Sequence, residues 1–312
     1  MLSRLANRVY WLSRYTERAL NSAKIANSYG NLILDLPIGT EVGWHTLIAI
    51  NDADALFDEL YGERTEENIM QFLLFDERYA GSIYSSICYA RENARTSRDI
   101  LPSETWEIIN GLYLNMKNEK CEKVSRSRRY IFLNSVMHNI MRMEGMLNGG
   151  LSRNNTYRFI ILGRNLERAD TTTRVLDVGS QLLSDGTSSL LKSHEGVIWM
   201  NILRSMNAYQ MYRQEVRRKV VGKDVVKFLL FNEEFPRSVT FCVEQIMKYA
   251  SKLNEPMDII AMVNSLEKEI HSVSTEDLTA EGVNRHMDEL QKLLSDLNNI
   301  IEEKWFYNNN EI

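Results

Sequence analysis

Apolar and small residues recur at Leu2, Leu5, Val9, Leu12, Thr16, Ala19, Ala23 and Ala26. Steps of three and four place one seam of an α-helix against a partner. The pattern predicts a helix to about Leu34, stopped by DLPIGTEVG. Helical spacing continues in WHTLIAINDADALFDELYG and in TEENIMQFLLF, and resumes near Ser82 after a turn that holds Gly81. LPSETWEIINGLYLNMK enters a helix through Pro102 and Ser103, a suitable N-terminal pair. SRRYIFLNSVMHNIMRMEGML ends at Gly149 and Gly150, and Pro256 leads into MDIIAMVNSLEKEIHS. A last helix, about Ala280 to Trp305, aligns Val283, Met287, Leu290, Leu294, Leu297 and Ile301 on one face. Gly179 to Gly196 reads as a flexible loop. Nothing alternates as a strand, and only 4 prolines and 15 glycines interrupt 312 residues, so the expected fold is all-α, a helical bundle.

The pattern also repeats. Glu17-Arg18 returns as Glu167-Arg168, 150 positions on (167 − 17), with Val9, Leu12, Thr16 and Ala19 in phase with Phe159, Leu162, Leu166 and Ala169. Trp44 in GWHTLIAI returns as Trp199 in IWMNILRS, and FLLFDERYAGSI from Phe72 returns as FLLFNEEFPRSV from Phe228. Three blocks in the same order predict an internal duplication. Copy one is placed at about 1–118 and copy two at about 151–270, with a C-terminal helix added at about 280–306. A pseudo-twofold arrangement then sets the two Glu-Arg helices side by side.

Those helices carry charges where burial is expected. Neighbours on a helix do not face each other, so Glu17 and Arg18 cannot satisfy one another, whereas Arg14 and Arg18 share a face and repel. Arg164 and Arg168 repeat the arrangement, and Arg91, Arg95 and Arg98 form a third row beside Glu92 and Asn93. One reading is a structural network, in which Glu17 receives an arginine from another helix and Arg18 finds Glu92 or Glu167. The second is an anion site, with these arginines converging on a phosphate or carboxylate. Solvated surface charge is the third. FPRSV adds a helix start where Arg237 and Ser238 could hold an anion, although such a serine is commonly only a cap.

Composition narrows the class. The chain is 44% hydrophobic and 25% charged, sufficient for a large core. A net charge of −5 argues against nucleic acid as a partner, and the clusters SRSRRY and YRQEVRRK read as solvated faces. Cys88, Cys121 and Cys242 form no CxxC pair, which fits a reducing, cytoplasmic location. The N-terminus lacks the apolar stretch of a signal peptide, and no run is long enough to cross a membrane. Five scattered histidines give no metal-binding spacing, and no nucleotide or nucleophile motif is present, so no metal or cofactor is expected.

MLSRLANRVYWLSRYTERALNSAKI, ARENARTSRD followed by ETWEIINGLYL, LGRNLERADTTTRVLDV and FLLFNEEFPRSV together resemble the bacterial alpha-E proteins, an all-helical family named for its Glu-Arg motif. The likeness extends through about residue 250, with the chain as one alpha-E unit over 1–312. Where the family usually shows NPxSI, the first copy reads ERYAGSI, which keeps Ser82 and removes the Asn-Pro turn. The resemblance places emphasis on Glu17, Arg18, Glu167 and Arg168, and on Arg91, Glu92, Asn93 and Arg95. It also implies partners, because alpha-E proteins are typically encoded beside, or fused to, circularly permuted ATP-grasp proteins, with transglutaminase-like proteins as further neighbours.

The resulting expectation is an accessory component of a peptide- or amide-bond forming or modifying system, holding an anionic intermediate or docking on an ATP-grasp ligase. The rival is an amide-transfer or hydrolysis enzyme with Glu17 or Glu167 as general base and arginines orienting a carboxylate. A third reading is a homo-oligomer built through the C-terminal helix.

Overall fold

A computed structural model describes residues 1–36, 43–119, 125–182, 193–273 and 280–307. In chain order the helices are α1 (Ser3–Asp35), α2 (Thr46–Ile50), α3 (Asp54–Leu60), α4 (Glu66–Phe75), α5 (Ile83–Arg95), α6 (Ser103–Glu119) and α7 (Arg126–Gly150). Then come α8 (Asn155–Gln181), α9 (Glu195–Ser205), α10 (Tyr209–Val216), α11 (Gly222–Phe231), α12 (Val239–Ala250), α13 (Met257–Ile270) and α14 (Ala280–Glu302). A π-helical turn over Glu303–Tyr307 follows α14 and buries Trp305 and Phe306. No strand occurs among the described residues, and the fold is all-α. No helix among them is long and apolar enough to cross a membrane.

Helices α1 and α8 pack lengthwise on each other at the centre. Around α1 lie α5, α7 and α9, and against α8 lie α12 and α14. The single apolar seam expected of α1 is too narrow a description. Val9, Leu12, Thr16, Ala19, Ala23 and Ala26 are buried as that seam, Leu5 is half-buried and Leu2 exposed, and Tyr10, Ser13, Arg14, Glu17, Asn21 and Lys24 are buried as well. A helix enclosed by four others has no wholly solvated side, so its charges must be paired inside.

Small residues set how close the two central helices come. A Cβ on Gly163 of α8 would meet the Tyr10 carbonyl oxygen and Ser13 Oγ of α1. Gly179 belongs to α8 rather than to a loop, and the tip of Ile202 from α9 sits where its Cβ would be. Residues 183–192 of the expected flexible loop, and Cys121, lie outside the described residues. The segment expected as one helix after Trp44 breaks into α2 and α3 at Asp52, whose φ of 50° is left-handed. The expected helix starts at Ser82 and Ser238 hold. Ser82 caps α5 by accepting from Ser85 N, and Ser238 caps α12 by accepting from Phe241 N.

Candidate functional site: a crossed glutamate–arginine network

The paired charges of α1 and α8 are exchanged between the helices. Glu167 accepts from Arg14 Nε at 2.8 Å, from Arg18 Nε at 2.7 Å and from Arg18 Nη2 at 3.1 Å. Two like charges one turn apart on α1 are thus clasped on one carboxylate of α8, which offsets their repulsion. In return, Glu17 of α1 lies 3.1 Å from Arg168 Nε of α8 and accepts from Arg237 Nη2 at 2.8 Å. Arg237 projects from the turn before α12, and its Nη1 donates to Asn21 Oδ1 at 2.6 Å. Asn21 Nδ2 then donates to Thr171 Oγ1, tying α1 to α8 a turn further on.

A third carboxylate comes from α7. Glu144 pairs with Arg164 at 3.2 Å and Arg168 at 3.3 Å. At the other end Arg14 Nη1 and the Tyr10 hydroxyl both donate to Asn298 Oδ1 of α14. Five arginines therefore face three glutamates, and Glu17, Glu167, Arg14, Arg164 and Arg237 are all buried.

The balance of burial against charge differs from one carboxyl to the next. Burial alone would raise Glu167, but the charges of Arg18 and Arg14 outweigh it and hold the group below its ordinary value. Burial likewise opposes ionisation of Glu17, and Arg168 and Arg237 reverse that, keeping it well below the usual range. Glu144 goes the other way, raised by burial and by the charge of Glu17. Glu17 Oε2 has no guanidinium or amide donor, and Glu144 stands near enough for each carboxyl to shift the other. Lys24, one turn beyond Asn21, is 5% exposed and pushed down to about 7, first by burial and then by Arg237.

Of the residues expected at the site, Arg14, Arg18, Glu17, Arg164, Glu167, Arg168 and Arg237 meet here. Arg18 takes Glu167, not Glu92. Ser238 is a cap, and its hydroxyl also donates to the Asn232 carbonyl. The third arginine row does not join. Arg91 donates to Asn110 and lies over the Trp106 and Tyr113 rings of α6, while Arg98 lies over Trp106. Arg95 pairs with Glu92 in solvent, and the Asn93 carbonyl accepts from Thr96. Convergence of all three rows on one anion is therefore corrected, because α5 turns that face toward α6 and solvent.

Sequence reasoning missed Asn21, Lys24, Glu144, Asn298 and Tyr79. Asn21 and Lys24 carried a signal, since positions 17, 21 and 24 share one helical face. Tyr79 lines a cleft of about 190 Å³ beside Glu167, together with Arg18, Asn51, Gly81, Asp170 and Arg174. Among the described residues, no group of three or more His, Cys, Asp or Glu could hold a metal ion.

The family profile Alpha-E, described as a predicted alpha-helical domain with a conserved ER motif, matches residues 1–306. The chain is 19% identical over 314 aligned positions to the uncharacterized protein Mb2597 of Mycobacterium bovis and, equally, to the uncharacterized protein MT2643 of Mycobacterium tuberculosis. In both cases the alignment covers 92% of this chain and 34% of the relative, so the chain spans about a third of those proteins' length. No solved structure matches.

Proposed function

The chain belongs to the Alpha-E family, and from that premise we propose a non-catalytic accessory component that holds an anionic group or its partner in a peptide- or amide-bond forming or modifying system. A circularly permuted ATP-grasp ligase is the proposed partner, a transglutaminase-like protein a further one, and the cytoplasm the proposed location. The observation that carries this reading is the state of the two Glu-Arg glutamates. Each is clasped by arginines and held ionised far below neutral pH. A general base works best with a pKa near the operating pH, so Glu17 and Glu167 are poorly suited to abstracting a proton. Their arrangement suits locking α1 to α8 while leaving positive charge in excess. The reciprocal exchange also supports the reading of two copies of one helical unit facing each other.

Co-expression with the ligase is the test. The wild-type chain should co-purify with it, the Glu17→Gln/Glu167→Gln variant should do so more weakly, and the purified chain should neither hydrolyse nor transfer amides. Turnover by the purified chain that Glu167→Gln abolishes, with helicity retained, would establish the enzyme reading instead.

A further inference from the structure

We propose that the cleft beside Glu167 is a binding site for a single carboxylate group. The inference rests on the reading above that the chain holds an anionic group, and it names the place and the ligand.

Local charge sets the ligand's charge. Arg14 and Arg18 share Glu167, and Arg174 pairs with Asp170 at 3.0 Å. The charges that line the cleft balance, Arg18 and Arg174 against Glu167 and Asp170, and Arg14, paired with Glu167 but outside the lining, tips the surroundings toward positive, which favours a singly charged group over a dianion. Asp52, whose charge reaches Arg174, is exposed at the rim and screened by water.

The donors are in place as well. Arg18 commits Nε and Nη2 to Glu167, and Arg174 commits Nε to Asp170. Arg18 Nη1, both Nη groups of Arg174 and the Tyr79 hydroxyl make no hydrogen bond to the described residues. Guanidinium forks match the two oxygens of a carboxylate, and Ile25 and Ile50 provide an apolar wall for the carbon that bears it. The volume, about 190 Å³, is below the roughly 300 Å³ at which drug-sized ligand pockets begin. It takes a carboxylate and an adjoining residue rather than a nucleotide.

The chain carries a filled version of the same feature. Gly81 and Arg237 each sit just before a capping serine, in turns where Asp76 Oδ1 accepts from Arg78 N and Asn232 Oδ1 accepts from Glu234 N. At the second turn the Arg237 guanidinium folds inward onto Glu17. At the first there is no side chain, and the tip of Tyr79 lies over the glycine. Gly81 thus stands at the cleft beside Glu167 in the position that Arg237 holds beside Glu17, and the Tyr79 hydroxyl, not an arginine, reaches the site there.

Binding to the isolated full chain is measured by isothermal titration calorimetry. The probes are sodium acetate, a tripeptide with a free C-terminus, its C-terminal amide, and inorganic phosphate. Saturable binding of acetate and of the free-acid tripeptide is expected, and none of the amide. Acetate binding as tightly as the tripeptide marks a small free carboxylate as the ligand, and a tighter tripeptide marks a chain end. Arg174→Gln, whose wild-type ion pair is half-exposed, should weaken binding at least about tenfold. Gly81→Arg should abolish it, with thermal unfolding verifying that both variants fold. The proposal is overturned if the amide binds as well as the acid, if phosphate binds more tightly, if Arg174→Gln has no effect, or if no probe binds. Loss of carboxylate binding with ligase co-purification intact would remove this site alone and leave the docking reading standing.

Discussion

Replacing Glu17 by glutamine isolates what the crossed network contributes. The side chain is fully buried, so water cannot take over for its partners. Glutamine keeps the shape and removes the charge. Arg168 still has Glu144, at 3.3 Å, but Arg237 keeps only the neutral Asn21. Breaking a buried ion pair from one side typically costs about 3–5 kcal/mol, because the remaining charge is stranded away from water. Some of this is recovered here. Glu144 is raised partly by the charge of Glu17 and ionises more readily once that charge is gone. The expected loss is therefore at the lower end, about 3 kcal/mol. Urea unfolding followed by circular dichroism measures it as a shift of midpoint at constant slope.

A second substitution sharpens the test. In the Glu17→Gln background, Arg237→Met removes the stranded charge and fills its volume, so the double variant should regain about 1–2 kcal/mol over Glu17→Gln alone. A Glu17→Gln loss below about 1 kcal/mol, typical of exposed pairs, would refute the buried-network account. Strict additivity of the two substitutions would refute it as well.

Lys24 gives a pH signature. Between about 7 and its ordinary 10.5 the unfolded chain binds a proton that the folded chain does not, so stability from this group rises with pH, by up to about 1.4 kcal/mol per unit. Lys24→Met should therefore stabilise more at pH 7 than at about pH 9 in paired urea titrations, and an equal effect at both would exclude a neutral buried lysine. Gly163→Ala should cost more than Gly179→Ala, about 3 against about 1 kcal/mol, since the first meets α1 backbone and the second only the tip of Ile202. Thermal melts rank the two, and the reverse order would contradict the close approach of α1 and α8. Ser238→Ala should cost more than the roughly 1 kcal/mol of a lost cap, and more than Ser82→Ala, because its hydroxyl also holds the Asn232 carbonyl, whereas that of Ser82 reaches the Ser85 hydroxyl, which can turn to another acceptor. Equal melting temperatures would show that second bond to be idle.

Helix positions were legible wherever local chemistry decides them. Ser82, Ser103 and Pro256 mark helix starts because a serine hydroxyl and a proline ring act on the backbone within their own turn, whatever lies around them. The face of α14 was equally plain, with Val283, Met287, Leu290, Leu294, Leu297 and Ile301 all buried. The crossing of Arg18 to Glu167 was among the readings from spacing, since neighbours on a helix point apart and a partner had to come from elsewhere. Glu144 and Asn298 were not legible, because their roles depend on how α7 and α14 approach α1 and α8, and no local pattern encodes that approach. The row of Arg91, Arg95 and Arg98 misled for the same reason. Three arginines on one face look alike in sequence, whether they turn toward a carboxylate or toward Trp106.

Proton chemistry in this molecule would not fall on the residues that the Glu-Arg motif advertises. A carboxylate becomes a base near neutral pH only if its surroundings raise it, and arginines drawn from the facing helix and the turn before α12 lower both Glu17 and Glu167. The groups in the network that burial moves toward neutrality are Glu144 and Lys24, and neither lines the cleft beside Glu167. The cleft is lined by arginines that stay protonated at any working pH, together with Glu167 and Asp170. A site meant to move protons would place the adjustable groups against its ligand. This one places permanently charged arginines there, the arrangement that the proposed anion-holding role requires.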